Sequence, residues 1–348
     1  MGPFSEHKSA LLKRPQLSGG DGLCIQPPSE PTWHLPPFDD FVLTPYVAAS
    51  LRVVTWNVWF SPLEADERMA ALFTEALGAS PDVLCLQEVV PRLANAIHAS
   101  ALRNVYAISP NTIDSYGCLL LVRRTLAPTF CEIALPSRMG RTLLVAEWAS
   151  PSCSSPVAVA TVHLESLNNA AARAKQLRVA YNELRVYEQV LLCGDFNFDA
   201  TRNFGDWLPV PPRPPRPSGD SDSDDEEPYS GPLRQAAGAL ENDVLSLRLP
   251  GYTDAWPALH GPLELGHTFD GARNPRVRDP EEQMRYDRVM VRGAHVSNIW
   301  LLGTGDSRAA AIVPSDHYGL CADVELPQPP TQGAASQPGG ALPRSEVK

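Results

Sequence analysis

The apolar residues of this chain are gathered in short runs that stop on a polar residue able to bind a metal or move a proton. Val83-Leu84-Cys85-Leu86 runs into Gln87-Glu88, and Leu191-Leu192-Cys193 runs into Gly194-Asp195. A short run that is apolar at consecutive positions reads as a strand buried on both faces. Strands are expected at 51–56, 82–87, 118–122, 142–148, 157–162, 190–193, 285–291, 295–301 and 318–324. Between them, Met69, Leu72, Phe73 and Leu77 recur at helical spacing, and a longer helix is expected over 170–188. Many buried strands interleaved with a few helices predict sheets covered by helices, not a bundle.

No apolar run approaches the roughly 20 residues of a membrane span, so no membrane association is expected. Residues 1–16 lack the apolar core of a secretory signal. Met1-Gly2 begins like a myristoylation site, but Pro3 follows, and Glu6 stands where Ser or Thr is wanted. The seven cysteines form no CxxC pair and several sit inside apolar runs, which predicts reduced core thiols and no zinc site. The expectation is a soluble, intracellular monomer of the nucleus, the cytoplasm or both.

Regular patterning starts near residue 48 and stops near 327. Residues 1–47 and 328–348 are rich in Pro, Ser, Gly or Gln and read as disordered tails. Segment 209–232 joins a Pro/Arg stretch to a Ser/Asp/Glu run and reads as a disordered loop within one catalytic domain, 48–327. The net charge is −11, of which Asp220, Asp222, Asp224, Asp225, Glu226 and Glu227 carry six. That balance excludes a basic nucleic-acid coat but not a small cationic or metal-filled groove.

Five motifs place metal-capable or proton-moving residues at strand ends: Thr55-Trp56-Asn57, Gln87-Glu88-Val89, His163-Leu164-Glu165-Ser166, Gly194-Asp195-Phe196-Asn197 and Ser315-Asp316-His317. Each alone has an ordinary reading. Asn57 forms turns, Glu88 starts a helix, His163 is a satisfied core imidazole, Asp195 with Asn197 makes an Asx turn, and Asp316 caps a helix. Together they supply what phosphodiester hydrolysis needs. Carboxylate and amide oxygens suit a hard divalent cation, an Asp/Asn pair orients water, and histidines donate to the phosphoryl oxygens as charge builds.

In this order and spread, the five blocks resemble the endonuclease/exonuclease/phosphatase superfamily over residues of about 50 to 327. The resemblance implies an α/β (α+β) fold, a two-sheet β-sandwich flanked by helices in four layers, α/β/β/α. It further implies a Mg²⁺ cofactor, with Mn²⁺ as a substitute, held by Glu88 with Asn57 and Asp316. Asp195 then resembles the residue that handles the attacking water, with Asn197 supporting it. His317, oriented by Asp287, and His163 resemble the histidines that face the phosphate.

Within the superfamily the blocks are similar to the tyrosyl-DNA phosphodiesterase 2 group, helped by Ser137-Arg138-Met139-Gly140-Arg141. That likeness implies hydrolysis of a 5′-phosphotyrosyl bond between a topoisomerase and DNA during DNA repair, with nucleic-acid 5′-ends as partner. Tyr116, Phe269, Arg141 and Arg285 fall where substrate contacts are expected. Asp199 and Asn168 depart from the pattern by standing where arginines are usual, leaving Arg202, Arg273 or Arg276 to compensate. Other reactions of the superfamily form the alternative: deadenylation, abasic-site cleavage, sphingomyelin hydrolysis and inositol-phosphate hydrolysis. No hydrophobic loop or basic juxtamembrane patch is visible to favour lipid.

Overall fold

The computed structural model describes residues 49–151, 153–207, 239–305 and 312–327. The expected tails and the 209–232 loop lie outside them.

In chain order the strands are β1 (Ser50–Asn57), β2 (Val83–Val89), β3 (Tyr106–Ile108), β4 (Gly117–Arg123), β5 (Thr129–Ala134), β6 (Thr142–Trp148) and β7 (Val157–His163). They continue with β8 (Gln189–Asp195), β9 (Thr253–Asp254), β10 (Phe269–Asp270), β11 (Gln283–Met284), β12 (Asp287–Arg292), β13 (His295–Leu302) and β14 (Gly319–Glu325). The helices are α1 (Ala65–Gly78), α2 (Pro91–Ala99), α3 (Leu102–Val105), α4 (Ala170–Leu184), α5 (Val244–Arg248) and α6 (Ala255–His260). One six-stranded sheet has the order β13-β14-β1-β2-β4-β3 and the other β5-β6-β7-β8-β12-β9, with β10-β11 as a separate ribbon.

Alternate residues of the central strands fill different cores, which is why their runs are apolar at every position. Val53, Cys85, Leu120, Val159, Cys193, Val289 and Ala322 meet between the two sheets. Val54, Leu84 and Leu86 point outward onto Leu72 and Phe73 of α1 and Ile97 of α2. Ala158, Ala160, Val190 and Leu192 point the other way, onto Leu177, Ala180 and Leu184 of α4. The result is the four-layered sandwich expected. A buried polar link crosses the middle: Gln87 Nε2 donates to Thr161 Oγ1 at 2.9 Å and to Thr55 Oγ1 at 3.1 Å. Among the described residues six cysteines are free.

The connections decide where the strand ends collect. β1 and β2 are parallel and joined through α1, and β7 and β8 are parallel and joined through α4. β14 runs antiparallel to β1, and β12 antiparallel to β8. The C-terminal ends of the four parallel strands therefore share one edge with the N-terminal ends of β12 and β14. That edge carries Asn57, Glu88, His163, Asp195, Asp287 and His317.

Two expected elements shift. The helix expected over 170–188 ends at Leu184, because Tyr187 folds back to donate its hydroxyl to Glu147 Oε2 at 2.7 Å. The strand expected from 285 begins at Asp287, since the Arg285 N–H is drawn to Asp199 Oδ1 at 2.6 Å.

Candidate active site

Asp195 stands at the centre of the edge. It pairs in register with His163 on β7 and with Asp287 on β12, so three chemically active residues occupy one row across the sheet. The residue before it must be glycine. Gly194 has φ +133°, and a Cβ there would lie 2.0 Å from the Val162 carbonyl oxygen. Asp195 Oδ2 accepts from Asn57 Nδ2 at 3.0 Å and lies 3.5 Å from His163 Nε2 and 3.9 Å from His317 Nε2. Its Oδ1 accepts the Asn197 N–H at 2.8 Å.

Asp195 and Asn197, two residues apart after an apolar run, suggest side chains aimed alike from one strand. The structure corrects this. The strand ends at Asp195, Asn197 turns to φ +57°, and its Nδ2 donates to the Leu164 carbonyl at 3.0 Å. Asn197 thus holds the β7 and β8 loops together and fixes Asp195 through its backbone.

Glu88 reaches the site through a break in β2. The β2–β4 register shifts between Leu86 and Val89, and Glu88 sits at φ +59°. An inserted residue of this kind re-aims a side chain that plain alternation would send elsewhere. Gln87 keeps the inter-sheet link while Glu88 turns to the rim. There Glu88 Oε1 accepts from Asn57 Nδ2 at 3.2 Å and Oε2 from the Phe60 N–H at 3.1 Å. The Asn57 Oδ1 accepts the Trp59 N–H at 3.0 Å, and its Nδ2 bridges the two carboxylates as a donor.

The two histidines have opposite character. Arg141 Nη1 donates to His163 Nδ1 at 3.0 Å, and since a guanidinium can only donate, the His163 proton is on Nε2, facing Asp195. Burial outweighs the pull of Asp195 and lowers the His163 pKa to about 3, so this imidazole is a neutral donor. His317 Nδ1 lies 2.8 Å from Asp287 Oδ2. Burial opposes its charge, but the carboxylates of Asp287, Asp195 and Asp316 prevail and hold it protonated. For Asp195 too, burial is overcome, here by the facing imidazoles and the N–H groups of Asn57 and Asn197, and it stays ionised.

The 314–318 turn that presents His317 is tied down from several sides. Ser315 Oγ donates to the Asn57 carbonyl at 2.7 Å and accepts the His317 N–H at 3.1 Å. Asn274 Nδ2 donates to the Ser315 and Asp316 carbonyls, and Trp56 Nε1 to the His317 carbonyl at 2.9 Å. Phe269 meets His317 edge-on, with ring centroids 4.9 Å apart. Of these helpers, Trp56 and Ser315 lie within the motifs and Phe269 stood out as a substrate contact, whereas Asn274 precedes Pro275 and reads as an ordinary turn.

A hard cation fits beside Glu88. Burial lifts Asp316 to about 7 against the pull of His317, and the Glu88 carboxylate adds to the lift; burial raises Glu88 as well. Two carboxylates at the rim that repel each other, with imidazole the one basic ion-pair partner among the described residues, are unmet negative charge, which an oxygen-liganded divalent ion satisfies. Asp195, Asp287 and His317 also offer ligand atoms within 4.8 Å of one another. That set is the poorer fit to a hard cation, because Asp287 and His317 already bond to each other and a nitrogen ligand suits softer metals.

Not every expected contact is here. Arg285 is buried and donates through Nη1 to both oxygens of Asp254, at 2.9 and 2.8 Å; Arg288 joins the same carboxylate at 2.7 Å. Arg285 lines a cavity of about 450 Å³ with Asp254, Tyr252 and Leu265, which Asp195, His163 and His317 do not line. A buried ion pair, not a phosphate, takes its charge. Asp199 is likewise internal, accepting the N–H groups of Thr201, Arg202 and Arg285. Among the suggested substitutes, Arg276 pairs with Glu64, and Arg202 donates to the Glu281 carbonyl. The rim is also more apolar than the sequence indicates: Phe60, Leu63 and Leu167 are exposed on the loops after β1 and β7.

The family model described as the Endonuclease/Exonuclease/phosphatase family matches residues 54–317. The chain belongs to that family. Endonuclease/exonuclease/phosphatase proteins are hydrolases of phosphate esters, generally dependent on a divalent metal, and this chain is a phosphodiester hydrolase by class. Zebrafish (D. rerio) TDP2 complexed with a single-strand DNA product superposes with a TM-score of 0.60 and 22% identity, covering 80% of this chain and 99% of that one. Truncated TDP2 of Caenorhabditis elegans gives 0.60 and 22%, covering 80% and 98%. The human Nocturnin catalytic domain with a bound sulfate anion gives 0.53 and 16%, covering 83% and 98%. At these identities the likeness shows the fold. A search of curated protein sequences gave no match. Among the described residues no helix is long and apolar enough to cross a membrane.

Proposed function

We propose that this chain is a Mg²⁺-dependent phosphodiesterase that releases a tyrosyl adduct from a nucleic-acid 5′-phosphate, as a monomer in DNA repair. The observation that carries the reading is the division of labour between the histidines around one ionised carboxylate. Asp195, held ionised, orients the attacking water and takes its proton. Protonated His317 and the neutral Nε2–H of His163 stand either side of it, placed to donate to phosphoryl oxygens as negative charge builds. Asp287 keeps the His317 ring turned inward, and Asn57 spaces the Asp195 and Glu88 carboxylates. Glu88 and Asp316 would hold the metal, which when bound supplies charge neutralisation at the phosphate. Similarity to TDP2 structures, one of them with DNA product, supports the choice of substrate.

Exposed Phe60, Leu63 and Leu167 favour a second reading, a lipid phosphodiester taken at a membrane surface. The test is release of tyrosine from a 5′-phosphotyrosyl oligonucleotide in Mg²⁺, run beside sphingomyelin and poly(A). Turnover of the oligonucleotide, abolished by chelator and by His317→Ala, is expected. Turnover of sphingomyelin or poly(A) alone overturns the substrate assignment.

A further inference from the structure

Phe60 is the feature of the site that the chemistry above leaves unused. It is 52% exposed, although a phenyl ring gains by burial and Val58, two residues before it, is fully packed. Its place is nonetheless well defined. The Phe60 N–H donates to Glu88 Oε2, and the ring stacks on Tyr116 with centroids 5.2 Å apart and planes 22° from parallel. Tyr116 in turn lies under the Arg141 guanidinium at 5.2 Å and 6.2 Å from the His163 ring. Arg141 is itself bonded to His163. A continuous layer of flat groups thus leads from the phosphate-facing imidazole outward and ends on an exposed phenyl ring. Its last member is fixed to the carboxylate that would hold the metal.

We infer that Phe60 is a specificity-determining residue: with Tyr116 it forms a stacking platform for a flat aromatic group joined to the scissile phosphate. The inference rests on the phosphodiesterase reading and adds the class of group the enzyme accepts next to the phosphate. Stacking requires a π-face and tolerates any nucleobase, so the platform selects aromatic over aliphatic neighbours without reading sequence. It thereby separates a nucleic-acid or tyrosyl ester from an aliphatic lipid ester at the same catalytic centre.

The experiment compares bis(4-nitrophenyl) phosphate with methyl 4-nitrophenyl phosphate. Both release the same nitrophenolate; only the retained group differs, a flat ring in one and a methyl in the other. The full chain in Mg²⁺ is assayed as wild type, Phe60→Ala, Phe60→Leu and Phe60→Trp. Phe60→Ala is expected to raise KM for the bis-aryl ester about 5- to 150-fold, leaving kcat and the melting temperature near wild type. Phe60→Trp should retain wild-type KM and Phe60→Leu should resemble Phe60→Ala; a smaller effect on the methyl ester assigns the platform to the retained group, and an equal effect assigns it to the leaving ring that both esters share. Full function in Phe60→Leu, or an unchanged KM in Phe60→Ala for both esters, would overturn the platform, since the first means plain apolar packing and the second means no contact. A 5′-phosphotyrosyl oligonucleotide, with and without a base at its first residue, completes the set. A Phe60 effect that disappears without the base assigns the platform to the nucleobase, and one that persists assigns it to the tyrosyl ring. If the wild type ignores the oligonucleotide while the bis-aryl effect stands, the substrate reading fails and the platform survives.

Discussion

Asp287 and Asp195 face one another across a single rung of the β8–β12 ladder, with protonated His317 in reach of both. Their carboxylates are nonetheless partnered differently. Asp287 bonds the His317 ring, whereas Asp195 collects Asn57 and Asn197 donors, one on each oxygen. The rung thus places a carboxylate bonded to imidazole beside one held by amide and backbone donors.

Asp287→Asn preserves the shape and removes the anion that orients and charges His317. A fall in kcat of about a hundredfold or more is expected, with an unchanged far-ultraviolet circular dichroism spectrum. Steady-state kinetics on the phosphotyrosyl oligonucleotide checks it; kcat within a few-fold of wild type would remove Asp287 from the mechanism.

Asp254 is the carboxylate shared by two buried arginines, Arg285 and Arg288. Asp254→Asn strands both cations, so a loss of about 3–5 kcal/mol in urea unfolding is expected. Arg285→Ala should also destabilise, yet leave KM for the oligonucleotide unchanged at a temperature where the variant is folded. A large rise in KM would restore the phosphate contact that sequence comparison suggests.

Removing the cation should leave Glu88 and Asp316 repelling each other inside the protein. Glu88→Gln is therefore expected to raise the melting temperature measured in chelator. It should also cancel the stabilisation that Mg²⁺ gives wild type, about 2.7 kcal/mol at a hundred times the dissociation constant. Differential scanning fluorimetry across a Mg²⁺ titration reads both effects.

Asp199 supplies a pH signature. Burial would raise its carboxyl, but donors from Arg285 and Thr201 overcome that and hold it below its ordinary value. A folded-state pKa below the unfolded one favours the ionised form on folding. The stabilisation is therefore complete above the unfolded value of about 3.9 and fades as pH falls through the folded one. Wild type should lead Asp199→Asn by a constant margin in urea above about pH 5, with the lead narrowing below about pH 4. A margin independent of pH would show that the carboxylate charge contributes nothing.

The central sandwich was readable in advance because strands such as β2, β7 and β8 are buried on both faces and declare themselves as unbroken apolar runs. Edge elements were not. β5 is half exposed, β3 has three residues and β9 has two, and none carries a period long enough to register. The site divides the same way. The motif residues end obvious strands, whereas Asn274 acts by donating its amide to the Ser315 and Asp316 carbonyls from an unremarkable turn. Arg285 misled because its partner, Asp254, sits in that two-residue strand, and nothing local announces the pair.

Three residues of the catalytic edge, Trp59, Glu88 and Asn197, hold left-handed backbone that side-chain-bearing residues avoid, each at a cost on the order of 1–3 kcal/mol. For Glu88 that cost is what lifts the carboxylate out of the strand's alternation. Glycine at any of the three would relax the fold and blunt the site in one step. The strain at this edge is thus stability given up locally to aim side chains that a relaxed backbone would aim elsewhere.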